Sequence, residues 1–228
     1  MKHSLEAGIQ FYSQKRYEQA RAELLALDEK PEENPAVAYY LGLTYTQLEE
    51  YEKAIPLLEY VILTHRNLFF VFQCRMVLGY IYSVTRRFQL AEIEFRNLLK
   101  LGVESPQVFT SLGYALYAQG KTEEGVEELK KALKYKPDYA SALNNLGFIY
   151  AEEGAAKEKE QAVALCKQAV KRQPGNPVYL DSLGWALFKA GNLVDAKAYL
   201  RKAFEASKGN KEIAAHLKAV MSEEKKQG

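Results

Sequence analysis

Much of what an enzyme or a nucleic-acid binder would need is scarce in this chain. Three histidines, His3, His65 and His216, are too scattered to assemble a metal site or a catalytic triad. The charge has no dominant sign: 31 Lys and Arg against 29 Asp and Glu leave a net +2 over 228 residues. No field for nucleic acid or for an anionic membrane follows from that balance. No apolar run approaches the roughly 18 residues that would span a bilayer, and no signal-peptide pattern opens the chain. Neither nucleic-acid binding nor direct membrane insertion is therefore expected. One apparent motif, ALYAQGKT at 115–122, matches a permissive phosphate-loop pattern. Such a loop follows a strand, whereas Ala115 to Gln119 continue a helix and Gly120, Lys121 and Thr122 form a turn, so the match reads as chance. No cofactor is implied, and nothing argues for an enzyme.

What is present is a repeat. Gly8, Gly42, Gly79, Gly113, Gly147 and Gly184 are separated by 34, 37, 34, 34 and 37 residues. A second small-residue series, Ala20, Ala54, Ala91, Gly125, Ala162 and Ala196, trails it by about half a period. The blocks YYLGLTY, MVLGYIY, TSLGYAL, NNLGFIY and DSLGWAL surround five of the glycines, and apolar residues within each block fall at helical intervals. Each period reads as two amphipathic helices, and periods in this range signal stacked supersecondary units. Gly120, Gly154 and Gly191 fall between paired helices, where a left-handed C-terminal cap is expected. Two three-residue insertions break the period, one in THRNLFFVF between Ala54 and Gly79, the other in the turn EEGAAKEKEQA. The first is expected to lengthen a helix that starts near Leu68 by about a turn. Cys74 and Cys166 fall on helices two repeats apart, too far to bridge, and read as reduced buried thiols.

The spacing of leucine-glycine, tyrosine, alanine, phenylalanine and proline resembles the tetratricopeptide repeat (TPR) family, in its bacterial type, over about residues 1–208. The resemblance implies an all-α fold: a right-handed α-solenoid of six helix-turn-helix units with a C-terminal capping helix. We expect one superhelical domain over 1–228, with repeats at about 1–34, 35–71, 72–105, 106–139, 140–176 and 177–208. The capping helix should lie at about 209–222, where Lys218 takes the place of the next glycine, before a disordered tail at 223–228.

In this family the first helix of each repeat lines a concave face. The positions that point into it are here Tyr39, Tyr40, Leu43, Tyr80, Thr110, Ser111, Tyr114, Tyr117, Asn144, Asn145, Phe148, Asp181, Trp185 and Phe188. The implied groove is aromatic, nearly uncharged, and supplied with amides and hydroxyls. It suits apolar side chains and the backbone of a partner peptide. The cations that grip a chaperone's terminal carboxylate in some members are missing: Asn145 fits one slot, but Thr110, Tyr114, Val178 and Ser182 stand in the others. A second candidate surface is Leu68, Phe69, Phe70 and Phe72. The simpler reading has Leu68, Phe69 and Phe70 covering the second helix of repeat 2; the sharper one leaves them exposed for docking or self-association.

The resemblance thus implies a non-catalytic scaffold for protein–protein interaction that binds a peptide or helix of a partner in its concave aromatic groove. Alternatives are a self-assembling, homo-oligomeric structural protein and an accessory factor of envelope or pilus assembly. Location stays open between the cytoplasm, if the chain is full length, and the periplasm, if an export signal has been removed.

Overall fold

The computed structural model describes residues 3–227, and among them all regular structure is α-helical. Two compact units divide the chain, with the boundary between Glu104 and Ser105. The first unit holds three helical hairpins: α1 (Leu5–Ser13) with α2 (Tyr17–Leu25), α3 (Pro35–Gln47) with α4 (Tyr51–Thr64), and α5 (Leu68–Val84) with α6 (Phe88–Lys100). The second holds α7 (Pro106–Tyr117) with α8 (Thr122–Tyr135), α9 (Ala140–Glu153) with α10 (Ala156–Arg172), and α11 (Pro177–Lys189) with α12 (Leu193–Ala206). A single helix, α13 (Lys211–Gln227), follows. Six hairpins and a closing helix are the architecture expected of the repeat.

Local chemistry explains where the helices begin and turn. Asn34, Ser105 and Asn176 cap α3, α7 and α11, each with its side-chain oxygen accepting from first-turn amides and a proline next in line. Within five hairpins the chain reverses through one left-handed residue: Lys15, Glu49, Arg86, Gly120 or Gly191. The amide that follows it donates back to the carbonyl five residues earlier, as in Arg87 to Tyr82 at 2.7 Å and Asn192 to Leu187 at 2.9 Å. Gly154 departs from the expected left-handed cap, with φ −71° and ψ 151°. The physical reason lies just beyond it. Glu158 accepts from the Ala155 amide at 2.8 Å and starts α10 at once. The three extra residues therefore do not enlarge the turn, as the sequence suggested; they lengthen α10 to 17 residues, against 14 in α8 and α12. The other insertion does extend a first helix: α5 begins at Leu68 and also has 17 residues.

Paired helices touch through the two small-residue series. Ala20, Ala54, Ala91, Ala162 and Ala196 are wholly buried. Opposite them, a methyl group added to any of the six repeat glycines would meet the large apolar residue or cysteine of the partner helix at 3.0 Å or less. Helix α13 packs as a further first helix would: Val220 joins the core of α11 and α12, and Ile213 packs with Leu180 and Ala203. It also continues past 222, where a disordered tail was expected. Glu223 and Lys226 pair at 3.2 Å, and Glu224 pairs with Lys197 of α12, so the last turns keep helical and tertiary support. Gly228, the final residue of that expected tail, and Met1 and Lys2, which open the first expected repeat, lie outside the described residues.

At Gly113 the seam is tightest against backbone. A Cβ there would stand 2.8 Å from Leu129 Cγ and 2.9 Å from the Gly125 carbonyl oxygen, which cannot swing aside. Gly113→Ala is therefore expected to destabilise by about 1–3 kcal/mol, outweighing the ~1 kcal/mol of helix propensity that alanine brings. Gly175→Ala, where nothing lies within 4 Å, should show no such loss. Chemical denaturation of the two variants beside the wild type checks both.

Candidate functional site

In the second unit the first helices and α13 enclose a cavity of about 220 Å³. Helix α7 supplies Tyr114 and Tyr117; α9 supplies Asn144, Asn145, Phe148 and Ile149; α11 supplies Val178, Asp181 and Ser182. The far wall is Asn210, Glu212, Ile213 and His216, from the cap and first turns of α13. The structure thus brings together six of the residues nominated from sequence: Tyr114, Tyr117, Asn144, Asn145, Phe148 and Asp181. Thr110 and Ser111 stay outside it. Thr110 is buried, and its hydroxyl donates to the Pro106 carbonyl at 2.6 Å.

The polar groups are arranged with care. Asp181 receives His216 Nδ1 at 3.0 Å from each of its carboxylate oxygens, which ties α13 to α11. The same imidazole stacks on Trp185, with centroids 4.2 Å apart and planes inclined by 21°. Trp185 in turn lies 5.1 Å from Phe188, and its indole N–H donates to Glu152. Trp185 and Phe188 therefore do not line the cavity; they buttress the histidine that does. Asn144 is only 4% exposed, and its Oδ1 has no hydrogen-bond partner, while its Nδ2 donates to Asn145 Oδ1 at 3.4 Å. The Tyr117 hydroxyl is pushed up to about 12 by burial and by the Glu153 and Glu152 carboxylates.

The nearly uncharged groove expected from sequence thus needs correction, because α13 carries Glu212 and His216 into it. The signal was present. Glu212 and His216 stand one repeat after Val178 and Ser182, in the register that runs on past the sixth repeat.

In the first unit two of the nominated groove residues, Tyr39 and Tyr40, join an aromatic chain. Tyr40 meets Tyr12 at 6.3 Å and Tyr39 at 5.1 Å, and Tyr39 meets Phe70 edge-on at 4.9 Å. Tyr39 is buried, which pushes its hydroxyl up to about 12; Leu43 is half-buried and Tyr80 is exposed. Leu68 and Phe69 do not cover the second helix of repeat 2: they are 68% and 58% exposed on the first turn of α5. Phe70 alone turns inward, against Tyr39 and 4.4 Å from His65, while Phe72 is half-buried.

No cluster of His, Cys, Asp and Glu among the described residues could hold a metal ion, and no described helix is long and apolar enough to cross a membrane. Cys74 and Cys166 are free, buried, and pushed up to about 12 by burial. With so little thiolate at pH 8, both should resist a thiol-specific disulfide reagent in the folded protein and react on unfolding.

Two family models match the chain: the tetratricopeptide repeat model over residues 5–65 and the TPR repeat model over 113–154. A TPR repeat-containing protein of Pseudomonas aeruginosa is 38% identical over 95 residues, which cover 40% of this chain and 15% of that protein. The photosystem I assembly protein Ycf3 of a Synechococcus strain is 30% identical over 105 residues, covering 40% of this chain and 60% of that protein. The chain thus spans only part of these relatives. Among solved structures, the Cut9–Hcn1 assembly of the APC/C aligns with a TM-score of 0.76 at 14% identity, over 95% of this chain and 42% of that one. A tetratricopeptide repeat protein of Parabacteroides merdae gives 0.73 at 17%, over 95% and 82%. YrrB, described as a TPR protein with an unusual peptide-binding site, gives 0.56 at 17%, over 95% and 100%.

If His216 fastens α13, Asp181→Ala should weaken that helix by about 1–3 kcal/mol by leaving the imidazole N–H unpaired. Faster amide exchange across 211–222, with α7 to α10 unchanged, is the expected reading.

Proposed function

Because the chain is built from tetratricopeptide repeats, we propose that it is a non-catalytic interaction scaffold that holds a segment of another protein in the concave face of its second unit. The observation that carries this reading is the cavity lined by α7, α9, α11 and α13: aromatic rings beside amide and carboxylate groups, with one amide oxygen unpartnered. Tyrosine and phenylalanine offer large contact area at little cost in side-chain entropy, and amides can pair with a partner's backbone. Repeat proteins of this family are as a rule scaffolds rather than enzymes. Tyr114, 44% exposed, and Phe148 are the contacts a partner would meet first, with Asn144, Asn145 and Asp181 beneath them. On the first unit, Tyr40 and the exposed Tyr80 are the rings that would serve a partner in the same way. A holding role during the assembly of a larger complex draws support from the relative named as a photosystem I assembly protein.

Affinity capture from lysate of the source organism, comparing wild type with Tyr114→Ala/Phe148→Ala at equal helical content, tests the reading. A partner retained by wild type and reduced at least tenfold with the variant is the expected result. Equal retention would move the site off this face.

A further inference from the structure

The cavity of the second unit has a sign as well as a shape. Two carboxylates, Asp181 and Glu212, line it, and neither lysine nor arginine does. The imidazole of His216 is already engaged by Asp181, whose two oxygens retain lone pairs for further donors. Asn144 adds a second kind of demand. Its Oδ1 is buried and lacks a donor, a costly arrangement in a folded protein unless a ligand completes it. The remaining walls include the rings of Tyr114, Tyr117 and Phe148, whose faces attract a cation. At about 220 Å³ the space lies below the ~300 Å³ at which pockets for drug-sized ligands begin, and it suits one long side chain.

Resting on the groove reading above, we propose that this cavity receives a cationic side chain, best a guanidinium, from the bound partner segment. A guanidinium carries five N–H donors in a plane. It can satisfy Asn144 Oδ1, pair with the Asp181 and Glu212 carboxylates, and lay its face on a tyrosine or phenylalanine ring. An acidic side chain would bring like charge against both carboxylates and leave Asn144 Oδ1 without a donor.

Selection from a random dodecapeptide display library against the intact protein tests this. Arginine, and to a lesser degree lysine, should be enriched at least tenfold at one position of the peptides retained by wild type. That enrichment should fall to background for Asp181→Asn/Glu212→Gln, while apolar preferences at other positions persist. Asparagine can still accept from His216, and amide exchange across 211–222 must match wild type; Glu212→Gln alone, on an exposed position, should lower the enrichment with no effect on folding. Retained peptides that favour apolar or acidic residues at every position would overturn the cation pocket and leave the groove standing. Retention of no peptide above an empty-bead control would overturn both.

Discussion

Everything in this structure depends on how closely two helices of a hairpin can approach. Glycine on the first helix, facing leucine, phenylalanine or cysteine on the second, and alanine or glycine on the second helix let the backbones close to contact. At Gly113 and Gly125 each glycine abuts the other's carbonyl oxygen, so the seam has no slack for a methyl group on either side. Close packing of this kind tolerates neither voids nor added atoms. It also explains why the period survives where turn residues do not. Lys15, Glu49 and Arg86 hold left-handed conformations that Gly120 and Gly191 hold elsewhere, because a turn can bear that modest strain while the seam cannot bear volume.

With the hairpins closed, the first helices of the second unit line one cavity, through Tyr114 and Tyr117 of α7, Asn145 and Phe148 of α9 and Asp181 of α11. Helix α13 completes that cavity. It docks through Val220 and Ile213 below and through His216 above, where one imidazole binds Asp181 and stacks on Trp185. Trp185 is held by Phe188 and by its bond to Glu152, and Lys189 pairs with Glu152 at 3.2 Å and lies over the indole ring. The closing helix therefore does more than shield the last hairpin from water. It brings a carboxylate, an imidazole and an amide cap to a wall that α11 alone would leave open.

The hairpins and their seams were legible in the sequence because the seam demands one residue type at one spacing. The start of α5 at Leu68 was legible for the same reason: the glycine behind it is shifted by the length of the insertion. The place of the insertion in repeat 5 was not legible, since three extra residues read the same whether they widen a turn or extend a helix; Glu158, accepting from the Ala155 amide, decides it. Burial within the nominated face was not legible either. Tyr39, Thr110, Asn144 and Asp181 sit beneath neighbouring residues, and periodicity marks a direction but not a depth. Glu212 and His216 were hard to read from the sequence because Lys218 interrupts the glycine series, although both side chains line the cavity from α13.

The proposed site of engagement on the second unit is the face formed by α7, α9, α11 and α13. Hydrogen exchange followed by mass spectrometry, with and without a peptide selected by the wild-type protein, addresses that directly. Slowed exchange is expected in segments carrying Tyr114 to Tyr117, Asn144 to Phe148 and Glu212 to His216, with α8, α10 and α12 unchanged. Protection confined to those second helices, or to the exposed Leu68 and Phe69 of the first unit, would contradict it.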